Sequence, residues 1–180
     1  MKKIAKSILI IVLFVGVFLV TGCGKKETPK FDNPKTVTIE GEKGKVEVTY
    51  EDNGTFEFND GEEKILKNTE GNYAFTFSFS PNTIAKQEKL KERNAKADGF
   101  TVEDVTYNGY KGYAVINETQ AITQVVLYTD VLNEVIFIAK AKPINNTNAR
   151  NTIKNGANPK DVIYNREEVQ NMLNSIKYVK

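Results

Sequence analysis

The chain has 180 residues and a mass of 20.2 kDa, with 40% hydrophobic and 27% charged residues and a formal charge of +2, which fits one ordinary domain and excludes both a multidomain machine and a wholly disordered chain. It contains no histidine and no tryptophan, which excludes Ser-His and Cys-His nucleophile pairs and removes the commonest metal ligand. A single cysteine excludes an internal disulfide and a cysteine-rich zinc site.

The chain opens with Lys2, Lys3 and Lys6 ahead of an unbroken apolar run from Ile8 to Val20. As a helix that run covers about 20 Å, short of the roughly 30 Å hydrocarbon core of a bilayer, so its length suits the apolar region of a signal peptide better than a membrane span. The run ends in Leu19, Val20, Thr21 and Gly22, followed by Cys23, the only cysteine. Residues 1–22 hold three lysines and no acid, leaving 22 basic against 23 acidic residues in the remainder. The positive charge therefore belongs to the leader, and a nucleic-acid partner, which needs a clustered basic surface, is not expected.

The segment Val20-Thr21-Gly22-Cys23 resembles the lipobox of bacterial lipoproteins. The resemblance implies cleavage between Gly22 and Cys23 and a diacylglyceryl, palmitate-bearing cysteine at the new N-terminus. The mature protein would then be anchored by lipid at the cell membrane, on its extracytoplasmic face. Thiolate chemistry suits such a modification, since the thiolate is a strong nucleophile under mild conditions. The division expected is a signal peptide over 1–22, a lipidated tether over 23–35, rich in lysine and proline, and one domain over 36–180.

From Thr36 the apolar period becomes two. Val37 and Ile39, then Val46, Val48 and Tyr50, then Phe56 and Phe58 mark short strands, separated by Gly41, Gly44, Asp52-Asn53-Gly54 and Asn59-Asp60-Gly61. Tyr73, Phe75, Phe77 and Phe79 alternate with smaller residues in the clearest half-buried strand. Ser80-Pro81 ends it and predicts the start of a helix over 82–97, with a mostly charged surface. Strands over 100–107 and 110–117 flank Asn108-Gly109, a pair suited to the two positive φ values of a tight hairpin turn. That register pairs Tyr107 with Tyr110 and Val102 with Val115. Two further strands are expected near 121–129 and 133–141, the second apolar on both faces and hence central. An Asn-rich stretch between Pro143 and Asp161 contains one short helix at most. Asn165 and Glu168 then form the pattern of a capping box before a helix with a Val169, Met172, Leu173 and Ile176 stripe.

The order of these elements, with a closing Leu173-Asn174-Ser175-Ile176-Lys177, resembles the PsbP-like fold of small bacterial lipoproteins. The resemblance implies an α+β domain, an antiparallel sheet flanked by helices, with a binding or assembly role and no catalysis.

Three groups of residues are candidates for chemistry. Tyr107, Tyr110 and Tyr113 could form an aromatic platform, although cross-strand aromatics more often stabilise a sheet. The carboxylates of Glu51-Asp52 and of Asp60, Glu62 and Glu63 lack the spacing of a calcium loop and read as solvated turns. Asn145 to Asn158 bound a long polar loop, where a scaffold varies without losing its core. No G-x-S-x-G, phosphate-binding loop or G-x-G-x-x-G is present. The expectation is a non-catalytic lipoprotein without metal or cofactor, its membrane contact made through lipidated Cys23. Its binding residues would include Tyr107, Tyr110, Asn145 and Asn158, directed at an envelope protein or peptidoglycan. A small envelope hydrolase or a spacer without a ligand is the alternative.

Overall fold

The computed structural model describes residues 29–180. Strands β1 (Pro34–Gly41) and β2 (Gly44–Glu51) form a hairpin, and the short β10 (Lys177–Val179) pairs with the other edge of β2. The remaining strands make one seven-stranded antiparallel sheet: β3 (Phe56–Asp60), β4 (Lys64–Asn68), β5 (Tyr73–Phe79), β6 (Phe100–Tyr107), β7 (Tyr110–Asn117), β8 (Thr123–Asp130) and β9 (Val135–Pro143). Its spatial order is β3-β4-β5-β9-β8-β7-β6. The first three strands form a meander. Helix α1 (Ile84–Ala95) then carries the chain to the far edge, and a second meander returns to lay β9 against β5.

The expected α+β class, a PsbP-like sheet flanked by helices, is corrected by this architecture. Among the described residues strand accounts for 45% and helix for 22%, in two antiparallel sheets with minor helices, so the fold is β-rich. Three features account for the difference. Residues 64–68, with only Ile65 and Leu66 apolar, are a strand paired on both edges. Residues after Ile176 form β10 and complete a separate sheet with β1 and β2. The helices that remain, α1, α2 (Asn146–Lys154), α3 (Pro159–Val162) and α4 (Glu167–Ser175), are between 4 and 12 residues long.

The small sheet and α4 lie together on one face of the large sheet. Val46 and Val48 share one buried cluster with Phe75, Leu127 and Phe137, and Val169, Met172, Leu173 and Ile176 of the closing stripe are buried in it too. The Phe75, Phe77 and Phe137 rings stack in series at 5.9 and 6.0 Å. Each such side chain withdrawn from water contributes about 1.5–3 kcal/mol against the entropy of ordering the chain.

The opposite face carries Tyr113, Val115, Val126 and Ile136 beneath α1. That helix has one fully buried side chain, Gln87, and is fastened largely by polar groups. The Tyr113 hydroxyl donates to Gln87 Oε1 at 2.7 Å, and Gln87 Nε2 donates to Ser80 Oγ at 2.8 Å. Burial, with the Glu88 carboxylate nearby, pushes the Tyr113 hydroxyl up to about 12. The N-cap is Thr83, which accepts from Lys86 N; the turn at Ser80-Pro81 precedes it. At α4 the cap position falls to Arg166, one residue after the expected Asn165, without a side-chain cap bond, and Asn165 Nδ2 instead donates to Asp161 Oδ1.

The hairpin between β6 and β7 has the register its Asn-Gly turn specifies, Tyr107 opposite Tyr110 and Val102 opposite Val115. Asn108 and Gly109 adopt φ of 48° and 86°, the left-handed values that such a two-residue turn requires.

Candidate functional site

The β1–β2 hairpin has an open end, where the described chain enters, and a closed end at its turn. At one end Pro34 lies opposite Glu51, and the preceding segment is tied down: Glu51 accepts from Asp32 N and Asn33 N at 2.7 and 2.6 Å, and Lys30 O accepts from Asn171 Nδ2. From Lys30 onward the expected tether therefore already lies against the domain. The turn at residues 42 and 43 is at the other end, seven residue steps along β1, or roughly 23 Å away.

At this far end the β1–β2 turn, the close of β5 and the β8–β9 turn enclose a groove of about 640 Å³. Phe79 and Pro81 supply its apolar surface, and Glu40, Glu42, Lys43 and Glu134 stand around it. Phe79 packs on Phe137 at 5.6 Å, and a Cβ at Gly41 would lie 2.6 Å from its ring. Glycine at position 41 is what lets the ring rest against the β1 backbone.

Beside the groove the β8–β9 turn projects Val131 and Leu132, which are 64% and 93% exposed. The turn is held from several sides. Asp130 accepts from both Asn133 N and Asn133 Nδ2, at 3.3 and 2.8 Å, and pairs with Lys180 at 3.0 Å. Lys43 Nζ donates to Asn133 O at 2.8 Å. Hydrogen bonds from Asn133 and the nearby Lys180 ammonium lower the Asp130 carboxyl to about 2. Two apolar side chains are thus held outward on a braced turn whose Glu134 also lines the groove.

A second groove, of about 440 Å³, lies at the end where the chain enters the domain. Its Arg166 is already engaged: Nε donates to Val162 O at 2.9 Å, Nη1 to Glu168 at 3.4 Å, and the guanidinium stands over the Tyr73 ring at 5.5 Å. These contacts hold the start of α4 to β5.

The residues singled out from sequence have other tasks. Tyr107 is 5% exposed, in the core rather than at a surface tip. Its hydroxyl lies 3.0 Å from both Tyr164 Oη and Gln170 Oε1; since Gln170 Oε1 only accepts, Tyr107 donates to it and accepts from Tyr164. The Tyr110 hydroxyl accepts from Tyr178 N at 3.0 Å and so holds β10 in place. Tyr113 fastens α1 from inside, so the three tyrosines form no platform. Asn145 and Asn158 are N-caps, accepting from Thr147 N and Asn148 N and from Lys160 N. The polar stretch thus contains two capped helices. Gly22 and Cys23 lie outside the described residues.

Sequence reading missed the groove because its walls come from three distant segments. The projecting turn had a local signal, two apolar residues between Asp130 and Asn133, where a turn between strands is ordinarily polar. Among the described residues no three His, Cys, Asp or Glu side chains are placed to hold a metal, and no helix is long and apolar enough to cross a membrane. No protein-family model matches the chain, and neither the curated proteins nor the solved structures give a match.

Proposed function

We propose that the protein is an extracytoplasmic bacterial lipoprotein, held to the cell membrane by a diacylglyceryl group on Cys23, and that its domain is a non-catalytic module binding an envelope protein or peptidoglycan. The anchor rests on the lysine-led apolar run and the Val20-Thr21-Gly22-Cys23 segment. A single acyl chain holds a protein only marginally, whereas the two of a diacylglyceryl group hold it stably.

The binding role rests on one observation, the braced Val131-Leu132 turn beside the 640 Å³ groove, at the end of the domain away from Lys30. The described chain enters the domain at the opposite end of the β1–β2 hairpin, where Lys30 O accepts from Asn171, so this end lies farther along β1 from the anchor.

Two measurements test the two halves. Cys23→Ser should accumulate as an uncleaved precursor without fatty-acid label; a labelled or normally processed variant would end the lipoprotein reading. A photo-crosslinking side chain at Leu132 in the membrane-bound protein should give a discrete adduct, whereas one at the exposed Lys140 in β9 should not. Equal patterns from both positions would remove the distal end as the binding end.

A further inference from the structure

We propose that Asn53 is a site of self-modification, at which the Gly54 backbone nitrogen closes on the Asn53 carboxamide, Thr55 supports the attacked oxygen, and the asparagine becomes aspartate or isoaspartate. The inference is independent of what the distal end binds. Asn-Gly pairs occur in the chain at 53–54, 108–109 and 155–156, each with a glycine that puts no Cβ in the way of such a closure. The fold separates them. Asn53 and Gly54 are both exposed, and a Cβ at Gly54 would find nothing within 4 Å. Among the described residues no backbone or side-chain acceptor takes the Gly54 N–H, so it stands open to water.

Asn53 Oδ1 accepts from Thr55 N at 3.1 Å and from Thr55 Oγ1 at 2.7 Å. A bond from an asparagine oxygen to the N–H two residues on folds the carboxamide back over the intervening peptide, here the one that carries the Gly54 nitrogen. The same two donors face the oxygen on which negative charge develops when that nitrogen attacks Cγ, and donors already in place at such an oxygen lower the barrier. The other two pairs differ. Gly156 N donates to Ile153 O at 3.0 Å, so its nucleophile is engaged. Asn108 Nδ2 donates to Ile176 O at 2.8 Å, and closure there would break that bond. Asn117 repeats the Asn53 arrangement, Oδ1 accepting from Thr119 N and Thr119 Oγ1 at 3.0 and 2.9 Å. Its next residue is Glu118, which carries a side chain and whose N–H donates to Gly99 O at 2.9 Å.

The step balances with water alone. Gly54 N gives its proton to solvent and bonds to Asn53 Cγ; the Cγ–Nδ2 bond breaks, and Nδ2 takes a proton from solvent and leaves as ammonia. Water then opens the succinimide ring at either carbonyl. Opening at Cγ restores the main chain with aspartate at position 53. Opening at the α carbonyl routes the main chain through the side chain as isoaspartate, which lengthens the link between β2 and β3 by a methylene. Either product sets a new carboxylate beside Asp52, which pairs with Lys35 at 3.6 Å.

The test incubates the full-length protein in phosphatidylcholine nanodiscs at neutral pH, in water enriched in heavy oxygen. Samples are digested in ordinary water, and positions 53, 108 and 155 are read by tandem mass spectrometry, so that conversion during digestion is told apart by its oxygen. Position 53 should convert about tenfold faster than either other position, the rate effect of one hydrogen bond to a developing charge, and isoaspartate should be among its products. In urea, where the fold is lost, the three rates should converge. Thr55→Val should slow conversion at position 53 by about fivefold at an unchanged melting temperature, and Thr55→Ser, which keeps the hydroxyl, should restore it. Equal rates at the three positions in the folded protein, faster conversion at 108 or 155, a difference that persists in urea, or a wild-type rate in Thr55→Val overturns the proposal.

Discussion

Tyr107 in β6 and Tyr164, between α3 and α4, meet hydroxyl to hydroxyl at 3.0 Å although 57 residues separate them in the chain. Both rings are buried, and burial pushes both hydroxyls up from their ordinary range, so each stays protonated and serves as a neutral hydrogen-bonding group. The chain Tyr164 to Tyr107 to Gln170, with Gln170 Nε2 returning to Tyr164 O at 2.6 Å, closes the hairpin edge against the last helices.

Tyr107→Phe keeps the ring and removes the middle of that chain. It should lower stability by about 1–2 kcal/mol, read as a shift of the urea midpoint at unchanged slope. Tyr107→Ser also empties the volume of a buried aromatic ring, a change that costs about 3–5 kcal/mol where it has been measured for Phe or Trp to Ala. Serine at this position is therefore a probe of the core and a poor one of binding. An unchanged midpoint for Tyr107→Phe would show that the hydroxyl chain adds nothing net.

The attachment of α1 makes a separate expectation. Gln87→Leu leaves the Tyr113 hydroxyl buried without its acceptor and should cost about 1–3 kcal/mol, whereas Gln87→Leu combined with Tyr113→Phe removes both partners and should recover part of the loss. Denaturation of the two single variants and the double variant completes the cycle. Additive losses would mean that the helix is held by its apolar contacts, chiefly Ile84.

Asp130 predicts the acid response of the distal turn. Its folded carboxyl titrates near 2, below the roughly 3.9 of an unperturbed aspartate, so the unfolded chain binds a proton more readily than the folded one. The stabilisation is fully present above about pH 4 and is lost as pH falls toward 2. Asp130→Asn should melt below wild type at neutral pH, and the gap should close near pH 2. A gap that stays constant across this range would show that the ionised carboxylate is not what braces the turn.

Much of the strand pattern was legible because its determinants are local. The aromatic alternation of Tyr73 to Phe79, the Asn108-Gly109 turn and the Val169 to Ile176 stripe each state their structure within one short window. What escaped depends on distant partners. Lys64 to Asn68 has little apolar character of its own and becomes a strand between β3 and β5, while Tyr107 reads as a hairpin-tip residue until Tyr164 and Gln170 arrive from later in the chain. Helix α1 shows the same limit differently, since its charged surface gives no hint that Gln87 is its buried anchor. The candidate site was the least legible part, being a meeting of three turns.

The pairing of β10 with β2 sets an order of events during folding. Strand β2 acquires its hairpin partner β1 almost at once, across a two-residue turn, but its other edge is filled by residues 177–179, with Lys177 opposite Glu47. Chain synthesis runs from the N-terminus, so most of the large sheet can assemble while that edge still presents unpaired backbone groups to any neighbouring strand. Closing it requires a contact between regions far apart in sequence, the kind that slows folding. Residues 177–179 thus act as a late clasp, and the interval before they dock is when this protein is most exposed to mispairing with another copy of itself.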